Sequence, residues 1–326
     1  MQNNKCKAAM SLSQNISIVH PEYFFITGLI GTPYNTYYYI FLFIVYFITI
    51  IGNSIVLLII ALERSLHSPM YIGVFNLALA DIGETNALIP NMMKTFLWDS
   101  QYISYNACLA NMFFVNFFYT VQTYTLVILA FDRFIAICFP LRYHAIVNNK
   151  LMSIVFSVLW AFNTCMVTLS TSLMTRLSFC NSNVVESWYC DYGTLMRLPC
   201  NDNSINRLLA ILIQALFIIA PPFIIILSYV GIFLALCKIT TWEGRLKALK
   251  TCVSHLLVVG SFFLPIICIL LASTTTNARI ISGSLSIALP PMLNPIIYVL
   301  NTAKIKDLIR KMLNNRSAPI RGNVSK

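Results

Sequence analysis

The sequence predicts an all-α fold, a seven-transmembrane helix bundle followed by a short amphipathic helix on the inner membrane surface. Three observations predict it. Only 10% of the 326 residues are charged and 58% are hydrophobic, whereas a soluble chain carries about 25% charged residues. The apolar residues come in long blocks, and the block Tyr38–Leu62 holds no charge at all. A helix needs roughly 20 such residues to cross a bilayer. Finally, the basic residues gather in alternate connections between the blocks.

Residues 1–37 contain no apolar run of signal-peptide type. They are expected to be an extracellular segment, with the first span serving as signal anchor. Asn15-Ile16-Ser17 is a glycosylation sequon there. Seven spans follow in one unit, 38–301. They are about Tyr38–Leu62, Met70–Leu97, Cys108–Cys138, Leu151–Leu173, Leu208–Cys237, Leu246–Ala272 and Ile280–Leu300. The runs are continuously apolar rather than alternating, so they read as helices and not barrel strands. No internal repeat relates the halves, which weighs against repeat-built transporters. In the final segment, 302–326, Ile305, Leu308, Ile309 and Met312 form a helical stripe beside Lys304, Lys306, Arg310 and Lys311. That pattern suits a helix lying on anionic lipid.

Seven spans put the termini on opposite sides. With the C-terminus inside, 15 of the 22 basic residues fall on the inner side. The positive-inside rule selects that orientation. The net charge of +11 is thus a topology signal. No compact basic face exists, so nucleic acid is not an expected partner.

Enzyme chemistry is not expected either. His20, His67, His144 and His255 are scattered without metal-ligand spacing, and no nucleotide loop is present. No cofactor is implied. Ten cysteines are present, and four of them (Cys108, Cys180, Cys190, Cys200) gather on the outer side at the start of span 3 and in the long loop between spans 4 and 5. Four cysteines allow three pairings, and spacing does not choose among them. Charge at bilayer depth is costly, so Asp81, Glu84, Asp132 and Arg133 should face the bundle interior or its inner mouth. Pro221, Pro265 and Pro295 each remove a helical hydrogen bond and kink their spans. Kinked helices with internal polar groups suit a bistable switch. A channel or transporter is the reading from another class, supported only by Asp81 and Glu84.

The motifs sharpen this. Span 1 carries Gly52-Asn53, and span 2 opens Leu66-His67-Ser68-Pro69-Met70-Tyr71. Span 3 ends Phe131-Asp132-Arg133-Phe134 and leads to Pro140-Leu141-Arg142-Tyr143. Ser228-Tyr229 lies in span 5, Thr251-Cys252-Val253-Ser254-His255 in span 6, and Pro291-Met292-Leu293-Asn294-Pro295-Ile296-Ile297-Tyr298 ends span 7. In this order the set, over residues 20–313, resembles the vertebrate odorant receptors, a branch of the rhodopsin-like G-protein-coupled receptors. The resemblance implies an odorant ligand, membrane lipids as surroundings, and a heterotrimeric G protein of stimulatory, olfactory type that raises cAMP. The same fold used for another metabolite outside the nose is the alternative.

The resemblance also implies disulfides Cys108–Cys190 and Cys180–Cys200. It assigns the resting state to Asp132, which holds Arg133, and the span 7 switch to Asn294-Pro295 and Tyr298, with Tyr229 as a water-linked partner. Asp81 belongs to the same switch, and His255 would be a hydrogen-bonding lock. Four features depart from the family pattern: Phe134 for tyrosine, Gln122 for an acid, Phe263 for tyrosine, and Val299-Leu300-Asn301 after Tyr298 without the usual arginine. Glu84, three residues from Asp81 and on its helix face, can replace the acid missing at Gln122.

Ligand positions implied by the resemblance are Met112, Val115, Asn116, Tyr119 and Thr120 on span 3, and Ile213 and Phe217 on span 5. Span 6 adds Phe263, Ile266, Ile267 and Leu270, and span 7 adds Ser284 and Ile287. Val115 stands where amine receptors place an acid, so a primary amine anchored there is not expected. Arg279 lies within reach of a carboxylate at the rim but reads as a topology anchor.

Overall fold

The computed structural model describes residues 18–29, 35–98, 100–238, 241–271, 275–301 and 305–308. The Asn15 sequon, the tail beyond 308 and the side chains of Ile266, Leu270 and Arg279 lie outside the described residues. So does most of the expected amphipathic helix, of which 305–308 are helical, with Ile305 buried against α1 and α2, as defined next.

Seven helices are long and apolar enough to cross a membrane. They are α1 (Asn35–Leu62), α2 (Pro69–Trp98), α3 (Tyr105–Cys138), α4 (Asn149–Met174), α5 (Ser204–Lys238), α6 (Trp242–Leu271) and α7 (Thr276–Asn301). Most begin before the first apolar residue, because caps and polar helix formers extend them. Ser104 caps α3 by accepting from the Ala107 amide, 3.4 Å, and Asn148 caps α4 by accepting from the Leu151 amide, 2.9 Å. Pro69 opens α2, where its missing amide costs nothing.

Helix α3 is the axis, packed against α2, α4, α5 and α6, while α1 closes against α2 and α7. Half of the most apolar window of α3 is buried, against 17% for α5. The outward row of α5 is wholly apolar, with Ile219 66%, Phe223 61%, Ile226 60% and Phe233 65% exposed. Only lipid makes such a surface stable.

Proline chemistry sets two cross-helix ties. Pro295 has no amide to donate to the carbonyl four residues back, which is Pro291. The Asn53 side chain of α1 supplies the missing donor at 2.9 Å. Gly52 permits this approach, since a Cβ there would meet Pro295 at 2.9 Å. In α5 the stretch Ala215–Ile219 widens to a π-helix just before Pro221-Pro222. There the Ala220 amide bonds the Ala215 carbonyl, so the next carbonyl, Leu216, would look to Pro221 and find no donor. Tyr124 of α3 donates its hydroxyl to it instead, at 3.1 Å.

One end of the bundle is capped. Strands β1 (Tyr23–Ile26), β2 (Tyr102–Ser104) and β3 (Val184–Val185) form a sheet of order β2-β1-β3, antiparallel between β1 and β2 and parallel between β1 and β3. Phe24 and Ile26 bury against Cys108, Met174, Phe179 and Val185. Disulfides Cys108–Cys190 and Cys180–Cys200 tie the loop between α4 and α5 to this end, with Cα separations of 5.4 Å and 5.8 Å.

A candidate ligand cavity and a polar switch

Beneath the capped end lies a cavity of about 620 Å³ between α3, α4, α5, α7 and the loop. That is within the roughly 300–1,000 Å³ usual for small-molecule sites. Val115, Asn116, Tyr119 and Thr120 face it from α3, Ile213 and Phe217 from α5, and Ile287 from α7. Along α5 the lining residues Arg207, Ala210, Ile211, Gln214, Phe217 and Ile218 follow helical spacing, so one face of α5 is one wall.

The lining is mostly apolar, with a few polar groups already engaged. Thr120 donates to Asn163 at 2.5 Å, and the lining residue Asn116 donates to the Met112 carbonyl at 2.8 Å, which uses its amide nitrogen and not its side-chain oxygen. Asp191 accepts from the Thr194 amide at 2.9 Å and from the Tyr189 hydroxyl at 3.3 Å. Burial, then the Asp191 charge, holds the Tyr189 hydroxyl well above its ordinary range, and burial raises Tyr192 too. Both loop tyrosines are therefore neutral donors.

Other expected ligand positions lie elsewhere. Met112, fully buried, packs under the Cys108–Cys190 bridge one turn above the cavity. Ser284 bonds Tyr38 of α1 and the Ile280 carbonyl, 2.9 Å, so it faces α1. Phe263 packs in the core cluster with Leu126 and Phe262. Ile267 is 43% exposed, on the outward face of α6. No described α6 residue lines the cavity. Sequence reasoning missed the loop residues Tyr189, Asp191, Tyr192 and Met196, and also Arg207 and Gln214. The signal was present: residues following Cys190 are held over the bundle once that cysteine is tied to the head of α3.

Toward the opposite end the bundle interior is polar, with no disulfide there among the described residues. Asn294 of α7 donates to Asp81 of α2 at 2.9 Å, and Gln122 of α3 donates to Glu84 at 2.7 Å. The acid of this second pair thus sits on α2 and the amide on α3. Asp81 Oδ1, Glu84 Oε1, Gln122 Oε1, Asn294 Oδ1 and the Tyr298 hydroxyl are buried without a hydrogen-bond partner among the described residues. Apolar side chains of the same helices, among them Leu77 of α2, Leu126 of α3 and Phe262 of α6, pack around this polar set.

Lower down, Arg133 lies 3.8 Å from Asp132, too long for a strong hydrogen bond, while Tyr143 donates to Asp132 at 2.7 Å. Burial, then the bond to Asp132, keeps the Tyr143 hydroxyl protonated. His255 Nε2 lies 3.2 Å from the Leu126 carbonyl and Nδ1 2.9 Å from the Tyr229 hydroxyl. A carbonyl only accepts, so Nε2 carries the proton and Tyr229 donates to Nδ1. His255 of α6 therefore joins α3 and α5. The ring of Phe134, which lacks a hydroxyl, fills the space over Gly231, where a Cβ would meet it at 2.5 Å.

Comparison with known proteins places this arrangement. The olfactory receptor family model matches residues 42–316. The chain is 38% identical to Olfactory receptor 1M1 of Homo sapiens over 299 residues, covering 90% of this chain and 95% of that protein. It is 34% identical to Olfactory receptor 1 of Rattus norvegicus over 297 residues, again covering 90% and 95%. The crystal structure of squid rhodopsin shares the fold with a TM-score of 0.68 at 18% identity, covering 89% of this chain and 91% of that one. The chain belongs to the olfactory receptor family, membrane receptors of the G-protein-coupled type rather than enzymes.

Proposed function

We propose that this receptor binds an odorant in the cavity beneath the capped end and activates a stimulatory, olfactory-type heterotrimeric G protein at the Arg133 end, raising cAMP. The observation that carries the reading is the double use of α3. Asn116 and Tyr119 face the cavity, and Asp132 and Arg133 close the far end of the same helix. Seventeen residues separate Asn116 from Arg133, about 25 Å of continuous helix. A ligand that shifts α3 acts directly on two contacts of that helix, Gln122 with Glu84 of α2 and the Leu126 carbonyl with His255 of α6.

The capped end and residues 1–37 are extracellular in this reading, 38–301 span the membrane, and 302–326 are cytoplasmic. The distribution of basic residues supports that orientation. Asp81, Asp132, Arg133, Tyr229, His255, Asn294, Pro295 and Tyr298 form the switch, and Val115, Asn116, Tyr119, Thr120, Ile213, Phe217 and Ile287 meet the ligand. The test is a cAMP screen of a broad odorant panel in cells supplying an olfactory-type stimulatory G protein. A saturable response absent from cells without that G protein is expected. A ligand-evoked current that persists without any G protein would overturn the reading in favour of a channel.

A further inference from the structure

We propose that the cavity selects amphipathic carboxylates, with the Arg207 guanidinium receiving the head at the cavity mouth and the apolar α3–α5 walls taking the chain. This rests on the reading that the cavity is the ligand site.

Arg207 lies in the first turn of α5 and lines the cavity, and Phe217 lines it ten residues further along the same helix face. At 1.5 Å per residue the two are about 15 Å apart along the axis. The site is thus elongated, with a cation at one end and an apolar wall at the other.

Two acids lie near that cation, and both are engaged elsewhere. Asp191 caps the turn Tyr192–Leu195 and takes the Tyr189 hydroxyl. Asp202 accepts from the Ser204 amide at 3.0 Å and from the Ser204 hydroxyl at 2.5 Å, in the turn that leads into α5. Asp202 is within electrostatic reach of Arg207, yet neither acid forms an ion pair with it. Among the described residues, the one ion pair within 4.0 Å is Arg133 with Asp132. Arg207 therefore keeps its planar fork of donors available, and a carboxylate is the group that fork matches bidentately. Among the described lining residues Arg207 is the one cation. A neutral alcohol or aldehyde would leave its charge unused, and an amine would be repelled by it.

The test uses the purified full-length receptor. Its thermal unfolding is followed with decanoate and, for the same chain without charge, decyl alcohol and methyl decanoate; binding raises the midpoint with ligand concentration. The expected result is stabilisation by decanoate at concentrations where the alcohol and ester do little. Arg207→Ala should need about tenfold more decanoate, the size of one charge-assisted hydrogen bond, and Arg207→Lys should recover part of the loss. Arg207 is exposed, so these variants are expected to fold.

Ser170→Phe, which fills the cavity from α4, should abolish stabilisation by every probe. Should the alcohol bind as well as decanoate, with Arg207→Ala without effect but Ser170→Phe blocking both, the carboxylate proposal falls and the cavity assignment stands. Decanoate binding that survives Ser170→Phe would overturn both. Absence of stabilisation by any probe in the wild type would overturn the proposal as well.

Discussion

The two ends of the bundle are held by different forces. At the capped end a three-stranded sheet, two disulfides and a tight core of Phe24, Met112, Met174 and Phe179 fix the loop over the cavity. Toward the Arg133 end the polar ties over the apolar core are single hydrogen bonds: Tyr143, in the segment after α3, to Asp132 of α3, Tyr229 of α5 to His255 of α6, and Asn294 of α7 to Asp81 of α2. Each such bond contributes about 1 kcal/mol net. The contrast teaches how a receptor divides labour. On the proposed function a covalently fixed end would keep one cavity shape for the ligand, and an end of weak polar ties would exchange one arrangement for another.

The largest effect that would sharpen this contrast concerns the bridges. Cys108–Cys190 closes 82 residues and Cys180–Cys200 closes 20. On the chain-entropy model these are worth about 4.5 and about 3.3 kcal/mol respectively. Cys108→Ser should therefore abolish surface delivery, with Cys180→Ser the milder of the two. Surface staining checks both, and normal delivery of Cys108→Ser would break the claim that this end is covalently fixed. Next comes Arg133→Ala. It should leave surface staining measurable while removing G-protein activation; undiminished cAMP output would deny Arg133 its role.

A smaller effect is expected at Tyr143. Tyr143→Phe removes one of the restraints on Asp132 and leaves the packing intact. Losing about 1 kcal/mol from the resting arrangement shifts the equilibrium roughly fivefold. Ligand-free cAMP should rise by about that factor. Unchanged basal output would show that the Asp132–Tyr143 bond does not hold the resting state.

Much of this was legible in the residues. All seven helices follow from apolar length and charge placement, and the acid–amide exchange between Glu84 and Gln122 was visible as a departure paired with a nearby acid. The faces of helices were harder to read. In α6 from Leu256 on nearly every residue is apolar, so a 3.6-residue period cannot separate a bundle face from a lipid face, and Ile267 was placed inward although it faces out. Met112 has the right face of α3 but sits a turn too near the disulfide. The π-helical turn of α5 is encoded by Pro221-Pro222, yet its consequence, the bond from Tyr124 to Leu216, needs the third dimension. The loop residues at the cavity mouth are placed by the Cys108–Cys190 tie, not by any local pattern.

On the proposed function, ligand meets the receptor in the α3–α5–α7 cavity. The most direct measurement of this is the potency ranking of an odorant panel on the wild type and on Asn116→Leu, compared at matched surface display. Asn116 lines the cavity with its amide donor tied to the Met112 carbonyl. Leucine keeps the volume and removes the acceptor. Ligands that donate a hydrogen bond should lose about tenfold in potency, the worth of one buried hydrogen bond, while purely apolar ligands hold theirs. Identical ranking and potency in the two proteins would contradict the account and move the ligand to another part of the bundle.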